Sequence, residues 1–369
     1  MSFTRAHRSA FARVFLRNYE TKQPTPLSLF TVSCGGPAPR KQAQWQRPTQ
    51  AGEMADVPLE VCVDSVASAV AAATGGASRV ELCANLYEGG TTPSVGLLRV
   101  VLAKVGAGVA VHAMVRPRGG DFLYDADEMS VMREDILAFK QAGAHGVVLG
   151  VLCASGTVDE RSLTDLVRLA APLPVTFHRA VDVTVDPVEA TLACVRCGVA
   201  RILSSGGAPE ARPLCPRSNS VREQCCVLLS TDATATTARD AWRGCSSRCV
   251  SNASTAHVCP CALAPVAQAM QGAATLQRMV AAAAGQLTIA AGGGLSEANA
   301  CALAHAARCD ELHGSLRTSV RSSMSHRPAI PIAMGSEKVN TAESEFEWRQ
   351  TDAARVAAVV RALAQRTAS

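Results

Sequence analysis

From residue 57 onward the chain alternates between two periodicities. Short β-branched runs recur as "LEVCV" (59–63), "RVELC" (79–83), "VAVHAMV" (109–115), "GVVLGVL" (146–152), "LPVTFH" (173–178), "ARILSS" (200–205), "LTIAA" (287–291) and "DELHG" (310–314). Ala- and Leu-rich stretches with helical spacing follow them, from "SVASAVAAAT" to the final "TDAARVAAVVRALAQ". Several of these open on Ser or Asp and close on Gly, the residues that start and stop helices. Strands that alternate with helices pair in parallel through right-handed crossovers. Eight such units in roughly 250 residues match the size of a TIM (β/α)8 barrel. The alternative is an open doubly wound sheet. It would carry GxGxxG after its first strand, where this chain reads "VDSVAS".

The alternation breaks once. Between "SSGGAPEA" (204–211) and "GAATLQRM" (272–279) lie about sixty residues rich in Ser, Thr, Arg and Cys, with neither period. Residues 212–270 therefore read as a low-order insertion after the sixth strand. Its Cys245, Cys249, His257, Cys259 and Cys261 lack the paired CxxC knuckles that frame a structural zinc site. Residues 1–56 precede the first strand and read as a disordered basic extension. Arg5, Arg8, Arg13 and Arg17 interleave there with Phe3, Phe11, Val14 and Phe15, so a mitochondrial or plastid transit peptide is a second reading.

Composition narrows the function classes. Hydrophobic residues at 48% and charged residues at 18% describe a packed globular body. No apolar run reaches the roughly 18 residues of a membrane helix. The net charge of +5 is concentrated in the first fifty residues, where Glu20 is the sole acid, so the folded part is close to neutral. With no basic and aromatic stripe either, a nucleic-acid partner is not expected. Fifteen cysteines in a chain of this length, without a secretory apolar core at its start, point to a reducing, cytoplasmic setting.

Period-two alternation then assigns chemistry to one face. In the first strand Glu60, Cys62 and Asp64 share a face opposite Leu59, Val61 and Val63. The aliphatic face belongs against the helices, so the polar set points into the barrel. Glu81 and Cys83 repeat the pattern on the second strand, and His112, Met114 and Arg116 continue it on the third. Were Cys62 and Cys83 at matching height, their thiols would approach closely, with the Met114 thioether beside them. Soft sulfur donors select Cu(I), whereas a lone buried cysteine is commonly an apolar filler. A second set gathers at the strand ends, where barrel active sites form. Glu60, Glu81, His178 and Asp182 are acid/base candidates. Arg116 and Arg118, with Gly292, Gly293 and Gly294, are candidates to hold an anion or a phosphate. That set reads as an enzyme acting on a small anionic or phosphorylated molecule, with ion pairing across the barrel as its structural alternative. Cys194-x2-Cys197 falls at the end of a helix, not at the N-terminus where redox pairs sit.

Longer stretches add a resemblance. "LEVCVDSVASAVAAATGGASRVELCANLYEGGTTPS", "VRPRGGDFLY", "GAHGVVLGVL", "LPVTFHRAVD" and "ARILSSGG" resemble the copper homeostasis protein CutC family, closely over 57–211 and more loosely over 272–369. The resemblance implies a single TIM-like barrel, cytoplasmic or nuclear, that forms homo-oligomers. It also implies a Cu(I) site whose two cysteines match Cys62 and Cys83. The chain departs from that pattern in its insertion, in Cys194 and Cys197, and in "AAGGG" (290–294) where the family has "MPGGG".

Overall fold

Residues 57–207, 268–330 and 344–365 are described by a computed structural model of the chain. Each strand forms where the β-branched runs lie: β1 (Leu59–Val63), β2 (Arg79–Leu82), β3 (Ala110–Met114), β4 (Gly146–Leu149), β5 (Val175–Phe177), β6 (Arg201–Ser204), β7 (Thr288–Gly292) and β8 (Glu311–Gly314). All neighbours pair in parallel and β8 returns to β1, closing the barrel. The expected (β/α)8 fold is the observed one.

The helices are α1 (Val66–Thr74), α2 (Val95–Lys104), α3 (Ala126–Ala142), α4 (Glu160–Ala170), α5 (Pro187–Arg196), α6 (Gln268–Gln271), α7 (Ala273–Ala283), α8 (Ala300–Ala307) and α9 (Ala353–Gln365). Ser65, Ser94, Asp125, Asp159 and Asp186 cap the first five, each accepting a backbone N–H of the first turn. Such caps contribute about 1 kcal/mol each. The core lies between barrel and helices, where Val61, Val63, Val80, Leu82, Ile136, Phe139, Leu163 and Ile202 are fully buried. α9 completes the ring against α1: a Cβ on Gly75 would lie only 2.5 Å from the Val356 Cβ. Gly75 thus permits a contact that Ala would block.

Two features differ from the alternation pattern. A two-stranded antiparallel sheet, β9 (Arg317–Arg321) with β10 (Glu347–Thr351), stands between β8 and α9. Its strands are short and carry one apolar residue each, Val320 opposite Trp348, so no period-two signal marks them. The helix after β7 does not start at Gly292–Gly294 but at Ala300. A turn intervenes, in which Asn299 accepts from the Ser296 N–H and donates to the Gly294 carbonyl.

Among the described residues no helix is long and apolar enough to cross a membrane. The basic extension over 1–56 and the insertion residues 212–267, including Cys245 to Cys261, lie outside the described residues.

Candidate metal and ligand site at the barrel mouth

Inward-facing positions place an ionic lattice in the lumen. Glu60 on β1 accepts two hydrogen bonds from Arg201 on β6, at 2.6 and 2.9 Å. Arg79 on β2 grips Glu311 on β8 at 2.6 and 3.3 Å, and Arg201 Nε lies 2.8 Å from the same carboxylate. All are buried or nearly so, and two carboxylates balance two guanidiniums. Burial pushes the Glu60 carboxyl up, but Arg201, the His313 hydrogen bond and Arg79 outweigh it and hold it well below the usual range. Glu60 is therefore a permanently charged anchor, engaged on both oxygens.

One step toward the mouth the donor set changes. His313 Nδ1 lies 2.8 Å from Glu60, and its Nε2 lies 3.7 Å from Glu81. Burial opposes charge on His313, yet Glu81, Cys62 and Glu60 together raise its pKa well above the ordinary value. Cys62, Glu81 and His313 offer one ligand atom each, all within 4.8 Å of one another. The Cys83 thiol reaches the Glu81 carboxylate at 3.7 Å and packs with Met114 and Val148. Burial, then the Glu81 charge, push that thiol well up, so it is protonated in this state. Burial likewise raises the Glu81 carboxyl, partly opposed by His313.

The register corrects one expectation. Cys62 stands opposite Glu81, not Cys83. A closed barrel staggers its strands, so Cys83 sits one inward step beyond Cys62 and the two thiols are diagonal neighbours. Glu81 holds the β2 position beside Cys62, and His313 comes from β8 on the other side of β1.

A cleft of about 260 Å³ opens above this layer, lined by Cys62, Glu81, Met114 and His313 from the strands. Arg116, His178, Arg179, Gly293, Gly294 and Arg317 form its rim. His178 follows β5, and its Nδ1 accepts the Ala180 N–H at 3.1 Å. Burial and then the Arg116 charge push its pKa down to about 3. With Nδ1 an acceptor, the ring proton belongs on Nε2, which is buried and has no protein partner among the described residues.

The other candidates divide. Asp182 does not face the cleft chemistry. Its carboxylate accepts from Arg179 Nε, both Ser204 and Ser205 hydroxyls, and the backbone N–H groups of Ser205 and Gly207. It latches the loop after β6. Arg116, which lines the cleft, donates to the carbonyls of Glu88, Gly90 and Gly120. Arg118 lies off the rim, paired with Asp121 and with Glu128, the capping-box residue of α3. Gly293 and Gly294 line the cleft with φ of 122° and 77°, values that favour glycine. Gly292 ends β7, where a Cβ would crowd Leu203 and His313.

Sequence reasoning overlooked Arg79, Arg201 and Arg317. Parity was the available signal for Arg79, which shares its face with Glu81. Arg201 opens a strand as Arg79 does. Arg317 follows β8 on β9, a strand with no period of its own.

A sequence model of the CutC family matches residues 57–224. A CutC family protein from Chromobacterium violaceum is 36% identical over 305 residues, spanning 83% of this chain and 97% of its own. The chain belongs to the CutC family. The mouse relative named copper homeostasis protein cutC homolog is 49% identical over 183 residues, covering 49% of this chain and 66% of the relative. The human protein of the same name is 49% identical over 162 residues, 43% of this chain and 59% of that one. A solved CutC structure from Streptococcus agalactiae aligns with a TM-score of 0.51 at 24% identity, over 70% of this chain and 98% of that one. That likeness concerns the fold.

Proposed function

We propose that this CutC family member serves copper homeostasis by holding Cu(I) at the barrel mouth. Cys62 and His313 are the first ligands, with the sulfurs of Cys83 and Met114 beside them. The observation that carries the reading is the convergence of Cys62, Glu81 and His313 to within 4.8 Å, with the Cys83 thiol at 3.7 Å from Glu81. Thiolate, thioether and imidazole suit a soft ion, whereas the single carboxylate suits it poorly. Glu81 fits better as the group that receives the proton Cys83 must lose. Its buried position, which favours the protonated carboxyl, supports that role. Ligand deprotonation makes such binding release protons and tighten as pH rises. The names of the mouse and human relatives add support. Thiolate ligands require a reducing compartment, so the cytoplasm or nucleus is the proposed location. The homo-oligomer implied by the resemblance is a proposal that light scattering would read.

The test is an anaerobic Cu(I) titration against a chromogenic competitor. Cys62→Ser should weaken binding at least tenfold, and Cys62→Ser with Cys83→Ser should abolish it. Unchanged affinity in the double variant would sink the reading. Glu81→Gln should raise the number of protons released to solvent on binding, because Cys83 then lacks its internal acceptor, while leaving the sulfur ligands in place.

A further inference from the structure

The rim of the cleft holds more hydrogen-bond donors than a copper site uses. His178 is 4% exposed, and its Nε2 proton has no partner among the described residues. A buried donor left unpaired is costly, so its persistence calls for an acceptor. Phe122 packs on the imidazole at 4.8 Å, and Gly150 leaves it space: a Cβ there would lie 2.4 Å from the ring. The orientation is therefore fixed from two sides. Beside it, Arg179 is held by Asp182 at 2.8 Å and by the Ser205 hydroxyl at 3.0 Å, with 43% of its side chain still exposed. Arg317 also lines the cleft. Its nearest carboxylate, Asp64, is 3.9 Å away, and its buried Nε has no partner among the described residues. Among the described residues that line the cleft, Glu81 is the one carboxylate. The volume of about 260 Å³ suits a small molecule.

We propose that the cleft binds a small organic oxyanion, one of whose oxygens accepts the Nε2 proton of His178 while Arg179 and Arg317 pair its charge. The inference goes beyond copper binding, using rim residues that the metal ligands do not include. A neutral imidazole fixed as a donor suits an oxygen acceptor directly, because no proton need be exchanged for it to bind. Guanidiniums give planar, paired contacts to carboxylate or phosphate.

The test uses copper-free full-length protein and two probes, 2-phosphoglycolate and malonate, followed by calorimetry. Saturable binding of at least one probe is expected, and the stronger probe assigns phosphate or carboxylate. Arg317→Gln, at a site that tolerates solvent, should weaken binding at least tenfold. His178→Phe should do the same, with retained circular dichroism checking its fold. Arg118→Gln, off the rim, should leave affinity unchanged. The titration contains no copper, which separates this result from that of the copper titration. Absence of saturable binding by wild-type protein, or undiminished affinity in Arg317→Gln, would overturn the proposal.

Discussion

Glu60 and Arg201 meet across the lumen through hydrogen bonds of 2.6 and 2.9 Å, although 141 residues separate them in sequence. Neither is exposed, so removing one partner strands the other's charge in the interior. Breaking such a pair costs about 3–5 kcal/mol. Arg201→Met should therefore lower the unfolding free energy by that amount in urea titrations. Arg118→Met, which breaks a largely exposed pair, should cost less than about 1 kcal/mol. Adding Glu60→Gln to Arg201→Met should recover part of the loss, because the stranded charge is gone. Equal midpoints for Arg201→Met and Arg118→Met would refute the assignment.

The barrel was legible because β-branched runs and helical runs alternate eight times, and parity put Glu60, Cys62, Glu81, Cys83 and Met114 on the inner face. Height along the strand was not legible. Parity fixes which face a residue shows, but the stagger depends on closure, and closure put Glu81 opposite Cys62. Side-chain reach was equally hidden. Arg118 and Arg116 sit two residues apart, yet one is drawn to the start of α3 and the other to loop carbonyls. β9 and β10 left no pattern because neither strand covers a core on one face.

The loop after β6 offers a separate prediction. Asp182 accepts hydrogen bonds from Ser204, Ser205 and Gly207, besides its pairing with Arg179. Asp182→Asn replaces one acceptor oxygen by a donor that faces other donors. Bonds to a charged acceptor contribute about 1.5–3 kcal/mol each, so a loss of at least one such increment is expected. Hydrogen exchange should locate it: the Ser205 and Gly207 amides should exchange faster while those of β3 stay unchanged. Uniform acceleration throughout the barrel would argue against a local latch.

Packing against His178 can be tested from the opposite side. A Cβ on Gly150 would lie 2.4 Å from its ring and 2.8 Å from the Ala180 Cβ. Both neighbours are buried, so the ring must shift. Overpacking of this kind costs about 1–3 kcal/mol. Gly150→Ala should lower the thermal midpoint and weaken 2-phosphoglycolate or malonate binding together. A variant of wild-type stability would show that the imidazole is not held in place.

Acid should destabilise the protein before its carboxylates protonate. Burial holds the His112 imidazole well below its ordinary value and that of His178 at about 3. Unfolded, both titrate near 6.5. Below that point the unfolded chain binds protons that the native one refuses, so stability falls as pH falls. Each imidazole contributes a slope of up to about 1.4 kcal/mol per pH unit. His313, raised instead, is protonated in both states below 6.5 and adds no slope there; its contribution is lost only as pH rises through its folded value. Glu60, held low, matters only below the ordinary carboxylate range. Glu81, Asp64 and Asp135, all held high by burial, oppose the trend, since their native carboxyls take a proton earlier than the unfolded ones. The two imidazoles titrate well above any carboxyl in the unfolded chain, so they set a net loss just below about pH 6.5. Urea unfolding between about pH 6.5 and 5 should show it. His178→Gln should flatten the slope by roughly 1.4 kcal/mol per pH unit, and an unaltered slope would mean that His178 titrates normally in the folded chain.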